Sequence, residues 1–281
     1  MSSVLATRLT YGIPLLAGVL GLLAWDHSSG DSFGVGILAV VFGVGAVVEV
    51  AKMLRLGRGL QIVAALGVLT LLGLRAAKQN GALAASFEGE LLLLALLPVA
   101  ILGLRRGGTD EGPEEKLRRA VGAVFAVLYV GLPMLALLAL SVHPEWGVGA
   151  LIYLVLVVKG NDSGAYLVGR KLGKTPLSAV SPNKTREGAI GGLVLGTILG
   201  VATVALSATP FSLLGAIPLS LAIGVAGQLG DLGESALKRG TGVKDSGGLI
   251  PAFGGILDLL DSLLLAGPLL WAILAISAAF L

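Results

Sequence analysis

The sequence predicts an all-α polytopic membrane protein, and three observations predict it. Of its 281 residues 55% are hydrophobic and only 13% charged, with a mean hydropathy of +0.93, whereas a soluble domain carries about 25% charged residues. The apolar residues gather into nine segments, about 9–25, 33–51, 59–74, 91–104, 120–142, 146–158, 189–208, 211–229 and 259–281. All but two of the 20 Lys and Arg, Arg75 and Lys78, fall in alternate connections between those segments. By the positive-inside rule those connections are cytoplasmic. About nine transmembrane helices are therefore expected, with the N-terminus cytoplasmic, the C-terminus outside, and the site in a cavity facing the cytoplasm.

A span needs about 20 residues, within a range of about 17–25. The segments at 59–74, 91–104 and 146–158 are short by that measure and must tilt little, borrow flanking residues or re-enter. The first segment has one arginine, Arg8, ahead of an apolar run and could pass for a signal peptide. It lacks a small-x-small cleavage site and is expected to stay as the first helix. The second segment contains Glu49. A carboxylate inside a span is a functional candidate by default, but Lys52 and Arg55 stand at helical spacings from it, and a structural ion pair is the favoured expectation. The run Gly107–Pro113 is a polar linker, followed by Glu114, Glu115, Lys116, Arg118 and Arg119 leading into the fifth span. The chain divides there into an N-terminal transmembrane packing region, 1–112, and a C-terminal transmembrane catalytic region, 113–281. The latter carries the long cytoplasmic loops 159–188 and 230–258. No internal repeat is found, and the 43 glycines suit close helix packing. The absence of cysteine excludes disulfides, zinc thiolates and thiol catalysis. The net charge of +3 belongs to basic cytoplasmic loops rather than to nucleic-acid binding.

The first polar stretch, Lys159–Gly192, places Asp162 at the end of the sixth segment. Arg170, Lys171 and Lys174 follow among glycines, then Ser181-Pro182-Asn183-Lys184-Thr185 and Glu187-Gly188. Glycines permit close backbone approach and the side chains supply donors, a combination suited to phosphate groups. A basic loop lying on anionic headgroups, at about 1 kcal/mol per basic residue, has the same composition. Neither a Walker A pattern nor GxGxxG is present.

The second stretch, Gly230–Ser262, is more specific. Asp231, Glu234, Ser235 and Lys238 share one face if the eighth helix continues. Asp258 and Asp261 stand three apart at the start of the last span. A carboxylate at a bilayer centre costs about 2.5–3.5 kcal/mol, so these must line a wet cavity or bind cations. Mg2+ suits such a set because it takes one or two carboxylates plus substrate phosphates. A solvated helix end accounts for Glu234 and Arg239, but poorly for Asp258 and Asp261.

Ser235-Ala-Leu-Lys-Arg, Lys244-Asp245, Pro251, Gly254-Gly255, Asp258 and Asp261 together resemble the C-terminal signature of the phosphatidate cytidylyltransferase (CDP-diacylglycerol synthase) family. Upstream, Asp162 with Ala165-Tyr166, Gly169-Arg170, Gly173-Lys174, and Ser181-Pro182 through Lys184-Thr185 to Glu187-Gly188 agree, so the resemblance covers roughly 155–270. The chain departs from it at Phe253, where the family usually has His, at Leu259, where Arg often follows the Asp, and at Arg186, which replaces Trp.

The resemblance implies CTP + phosphatidate → CDP-diacylglycerol + pyrophosphate, a nucleotidyl transfer of phospholipid biosynthesis. Asp231 and Asp258 are expected to bind Mg2+ with Asp261 as a further ligand, and K+ or another monovalent cation beside it. Lys238 joins these carboxylates as a catalytic residue. Ser235, Arg239, Lys244 and Asp245 are expected to bind substrate from one loop, and Asp162, Arg170, Ser181 and Lys184 from the other. Lipid tails would enter sideways between helices. The expected setting is a bacterial inner membrane, with CTP, phosphatidate and the bilayer as partners, no nucleic acid, and a homodimer through glycine-rich helices. The alternatives are another CTP-dependent lipid cytidylyltransferase, a polyprenol-type kinase, or a cation-coupled secondary transporter. The last would place its charge near mid-membrane in broken helices, not clustered at one face.

Overall fold

Apolar periodicity, caps and prolines organise the described residues into ten helices, seen in a computed structural model that describes residues 3–30, 32–79, 88–105, 112–143, 147–206, 212–248 and 254–279. They are α1 (Ser3–Ser29), α2 (Phe33–Met53), α3 (Arg58–Gln79), α4 (Glu88–Arg105), α5 (Pro113–Ser141), α6 (Gly147–Leu172), α7 (Arg186–Leu206), α8 (Leu213–Gly240), α9 (Leu257–Leu260) and α10 (Leu263–Ala279). Among the described residues there is no strand, and Pro176 bridges with Thr185.

Several helix starts are written locally. Pro113 opens α5 with Glu114 and Glu115 in the first turn, where a missing N–H and negative charge are both favoured. Ser212 caps α8 by accepting from the Gly215 N–H at 3.0 Å. The start of α2 is served from outside. The buried Asp26 carboxylate of α1 accepts from Gly34 N at 2.9 Å and Val35 N at 2.7 Å.

Each apolar segment read from the sequence is largely helical where it is described, but seven helices among the described residues, not nine, are long and apolar enough to cross a membrane. The seven are α2, α3, α5, α6, α7, α8 and the α9–α10 unit Leu257–Ser277. The short segment 146–158 lengthens into α6 by continuing through the polar residues to Leu172, and α8 likewise runs on to Gly240. Much of what reads as loop at 159–188 and 230–258 is therefore helix. Polar residues extend a helix as well as apolar ones once they stand at its wet end. Phe253 lies outside the described residues.

The core runs along α5, which packs against α2, α3, α4 and α10, while α6 packs against α7 and α8. α6 and α7 approach each other closely. Gly188, Gly192, Gly196 and Gly200 recur every fourth residue and are buried on one face of α7. A Cβ on Gly192 would lie 2.6 Å from the Asn161 carbonyl oxygen, and one on Gly196 2.8 Å from that of Val157. Backbones that meet this closely admit only glycine. The contact seats the second half of α6, with Asp162, beside the start of α7, with the loop that carries Lys184.

Candidate active site

The site is assembled where the last span breaks. α9 is one turn long and ends at Leu260, with Asp261 as its C-cap, before α10 resumes at Leu263. The break frees the Leu259 carbonyl, which accepts from Lys159 Nζ at 3.1 Å. It also turns the two aspartates to different partners. Asp258 and Asp261 are three apart in sequence, yet Asp258 faces Lys238 and Asp261 joins Asp231 and Glu234.

Lys238 is clamped between two carboxylates. Its Nζ donates to Asp258 Oδ1 at 2.6 Å and to Glu234 Oε2 at 3.0 Å. The other Asp258 oxygen, Oδ2, accepts from Ser246 Oγ at 2.6 Å, Gly255 N at 2.7 Å and Ser246 N at 3.2 Å. Both oxygens of Asp258 are thus committed to protein donors. That differs from the expected triad, in which Asp258 ligates a metal.

The carboxylates that do converge are Asp231, Glu234 and Asp261, each offering one oxygen within 4.8 Å of the others. Gly230 makes room for this, since a Cβ there would lie 2.5 Å from the Asp261 carbonyl oxygen. Glu234 is fully buried, and while its Oε2 meets Lys238, its Oε1 has no hydrogen-bond partner. A buried carboxylate oxygen left unsatisfied is costly. Three convergent carboxylates around one orphaned oxygen are a donor set that fits a hard divalent cation. Lys184 reaches the group from the 173–185 loop and pairs with Asp231. That loop is shaped by Leu177 N donating to the Lys184 carbonyl at 2.7 Å and Arg186 N to that of Thr175 at 2.9 Å. Glu187 staples its other arm, accepting from Lys174 N, Thr175 N and Thr175 Oγ1 at 3.0–3.2 Å. Thr185 caps α7, its Oγ1 accepting from Gly188 N at 3.1 Å.

An apolar groove of about 490 Å3 leads into this polar region between α1, α2, α5 and α6. Leu16, Ala39, Phe42, Met134 and Leu154 are among its walls, and its polar end is formed by Lys159, Asp162, Ser163, Tyr166, Asp258 and Asp261. There Lys159 Nζ donates to Asp162 Oδ2 at 3.0 Å, and Ser262 Oγ to Asp162 Oδ1 at 3.4 Å.

Of the residues singled out in the sequence, Asp162, Lys184, Asp231, Lys238, Asp258 and Asp261 gather here. Ser181 lies in the loop that carries Lys184, its backbone carbonyl accepting from Lys184 N at 3.0 Å, and Ser235 is half-buried on α8. Others point elsewhere. Arg170 Nη1 donates to the Tyr166 hydroxyl at 3.2 Å and Arg239 Nη1 to the Val243 carbonyl at 3.4 Å. Lys244 and Asp245 are exposed on the turn after α8. Three residues enter that sequence reasoning did not place in the site. Glu234 reads equally well as a solvated helix end. Lys159 stands three residues before Asp162, a signal legible only if α6 continues that far. Ser246 has no distinguishing pattern. The expected pairing of Glu49 with Lys52 or Arg55 is not what forms. The Glu49 carboxylate accepts instead from Ile256 N at 3.0 Å, Leu257 N at 2.8 Å and Ser246 Oγ at 3.0 Å.

The chain matches the model of a family described as the cytidylyltransferase family over residues 6–277. Among curated proteins it is similar to the phosphatidate cytidylyltransferase of Helicobacter pylori, 45% identical over 142 residues, which are 50% of this chain and 52% of the relative. It is likewise similar to that of Bacillus subtilis, 40% over 152 residues (54% and 56%), and that of Synechocystis sp., 37% over 189 residues (66% and 64%). In the first of these matches the chain spans about half the length of its curated relative.

Proposed function

The chain belongs to the cytidylyltransferase family, and on that footing we propose that it is an integral membrane phosphatidate cytidylyltransferase, converting CTP and phosphatidate to CDP-diacylglycerol and pyrophosphate. The observation that carries this reading is the apolar groove ending on Lys159 and Asp162 beside the acidic cluster. A lipid phosphate with its tails in the groove would meet a nucleotide held at the carboxylates. The names of the relatives support it.

The chemistry asks little of a base. A phosphatidate phosphate oxygen is already anionic and attacks the α-phosphorus of CTP, and the bond to the bridging oxygen breaks as pyrophosphate leaves. The difficulty is to bring anions together and to hold the charge of the leaving group, a task for positioned cations. Lys159, at the polar end of the groove, would exchange its contacts with Asp162 and the Leu259 carbonyl for the lipid phosphate. Lys184, carried by the 173–185 loop, would meet the triphosphate. Lys238 holds Glu234 and Asp258 apart and oriented. Mg2+ bound by Asp231, Glu234 and Asp261 would neutralise phosphate charge and orient the triphosphate.

The distribution of basic residues supports an active site facing the cytoplasm, where CTP is found, and the bacterial relatives support the inner membrane. The glycine stripe of α7 is used against α6 within one chain, so a homodimer would need another face. The test is direct. Purified protein given Mg2+, CTP and phosphatidate in mixed micelles should release pyrophosphate and form CDP-diacylglycerol. Release of CDP instead would make it a lipid kinase, and no turnover with phosphatidate beside turnover of another lipid phosphate would reassign the substrate.

A further inference from the structure

Glu49 is 7% exposed on α2, in the N-terminal region that reads as packing, yet its carboxylate is spent wholly on the segment that carries Asp258. Oε1 accepts from Ile256 N at 3.0 Å; Oε2 accepts from Leu257 N at 2.8 Å and Ser246 Oγ at 3.0 Å. Two of these donors are free N–H groups at the start of α9, where negative charge is favoured. The third, the Ser246 hydroxyl, also lies 2.6 Å from Asp258 Oδ2 and shares its single proton between the two carboxylates, so one side chain touches both. The surroundings are cut to fit. A Cβ on Gly247 or Gly255 would collide with the Glu49 carboxylate, and one on Gly45, a turn earlier on α2, with Ile256. Lys52, the expected ion-pair partner, is exposed.

We propose that Glu49 is a positioning residue for the transfer reaction: from α2 it fixes the Ser246–Gly247 and Gly255–Asp258 arms, and through them sets Asp258 and the Lys238 ammonium that Asp258 holds. Glu49 does not touch substrate. It transmits the placement of one helix, through Ser246 and Asp258, to the Lys238 ammonium. The inference rests on the proposed nucleotidyl transfer, but part of its test does not.

Glutamine at this position keeps the size and loses one acceptor, presenting an NH2 group to N–H donors. A misplacement of about 1 Å can cost about a hundredfold in rate, so Glu49→Gln is expected to lower kcat for pyrophosphate release at least about tenfold. KM for CTP and phosphatidate should stay within about threefold. Ser246→Ala added to Glu49→Gln should cost less than the product of the two single losses, because both act through Asp258. Lys52→Gln should match wild type. Hydrogen exchange by mass spectrometry should show the Ile256 and Leu257 amides losing protection in Glu49→Gln while α5 and α6 keep theirs. Three results overturn the proposal: unchanged kcat in Glu49→Gln, protection lost throughout the protein, or Lys52→Gln matching Glu49→Gln. If wild type itself releases no pyrophosphate, the activity reading fails, and the exchange at Ile256 and Leu257 alone decides the role of Glu49.

Discussion

Replacing Lys238 with methionine keeps most of the side-chain volume and removes the ammonium from between Glu234 and Asp258. Those carboxylates are 0% and 11% exposed, and the Lys238 side chain itself 13%. Breaking a buried pair by deleting one partner costs about 3–5 kcal/mol, because the remaining charge stays in a medium that solvates it poorly. Here two carboxylates are left, and a loss of about 4 kcal/mol is a conservative value. At about 2–4 °C per kcal/mol, the unfolding midpoint should fall by at least about 8 °C, measured by tryptophan fluorescence in detergent with EDTA present to remove divalent cations. Adding Glu234→Gln should restore part of that loss, since the buried charge is then gone, with a coupling of about 0.5–3 kcal/mol. The double variant should nevertheless remain inactive. Additive losses in the double variant, or a midpoint within about 2 °C of wild type for Lys238→Met, would show that the clamp carries no stability.

The two carboxylate groups should separate on metal dependence. Glu234→Gln should raise the Mg2+ concentration for half-maximal activity at least about tenfold, the equivalent of about 1.4 kcal/mol. Asp258→Asn should lower turnover while leaving that concentration within about threefold, and an equal shift for both would return Asp258 to the ion. Glycines should divide by sign. Gly192→Ala drives a Cβ to 2.6 Å from the Asn161 carbonyl and should destabilise by about 1–3 kcal/mol. Gly233→Ala on α8 meets nothing within 4 Å and should stabilise by about 0.5–1 kcal/mol. Denaturation in detergent reads both, and effects of one sign would contradict the packing assigned to α6 and α7.

The helices were legible because hydrophobic segments of span length leave few alternatives, and α2 and α7 lie close to where apolarity places them. Their ends were less so. α6 continues through Asn161, Asp162 and Ser163 to Leu172, past the point where hydropathy falls, because helical hydrogen bonding does not depend on apolar side chains. The polar cluster was legible as a cluster for the same reason that it is anomalous: carboxylates and lysines beside membrane spans must be matched or wet. Which carboxylate does what was not. The i, i+3 spacing of Asp258 and Asp261 suggests one face of one helix, and the break at Asp261 gives them separate partners.

By itself, then, the sequence determined that this is a helical membrane protein, and that its carboxylates and basic residues concentrate in Gly230–Ser262 and the stretch ending at Gly192. These follow from composition, spacing and charge, which are local properties. Only the tertiary structure decided that Glu234 joins Asp231 and Asp261, that Asp258 is held by Lys238 and Ser246, and that Glu49 reaches Leu257 across 208 positions of chain. A carboxylate's role depends on which donors surround it, and here those donors are backbone N–H groups and side chains from distant helices. No local pattern encodes them, because the glycines that let α2, α6, α7 and α8 approach so closely leave no mark of which partner they admit.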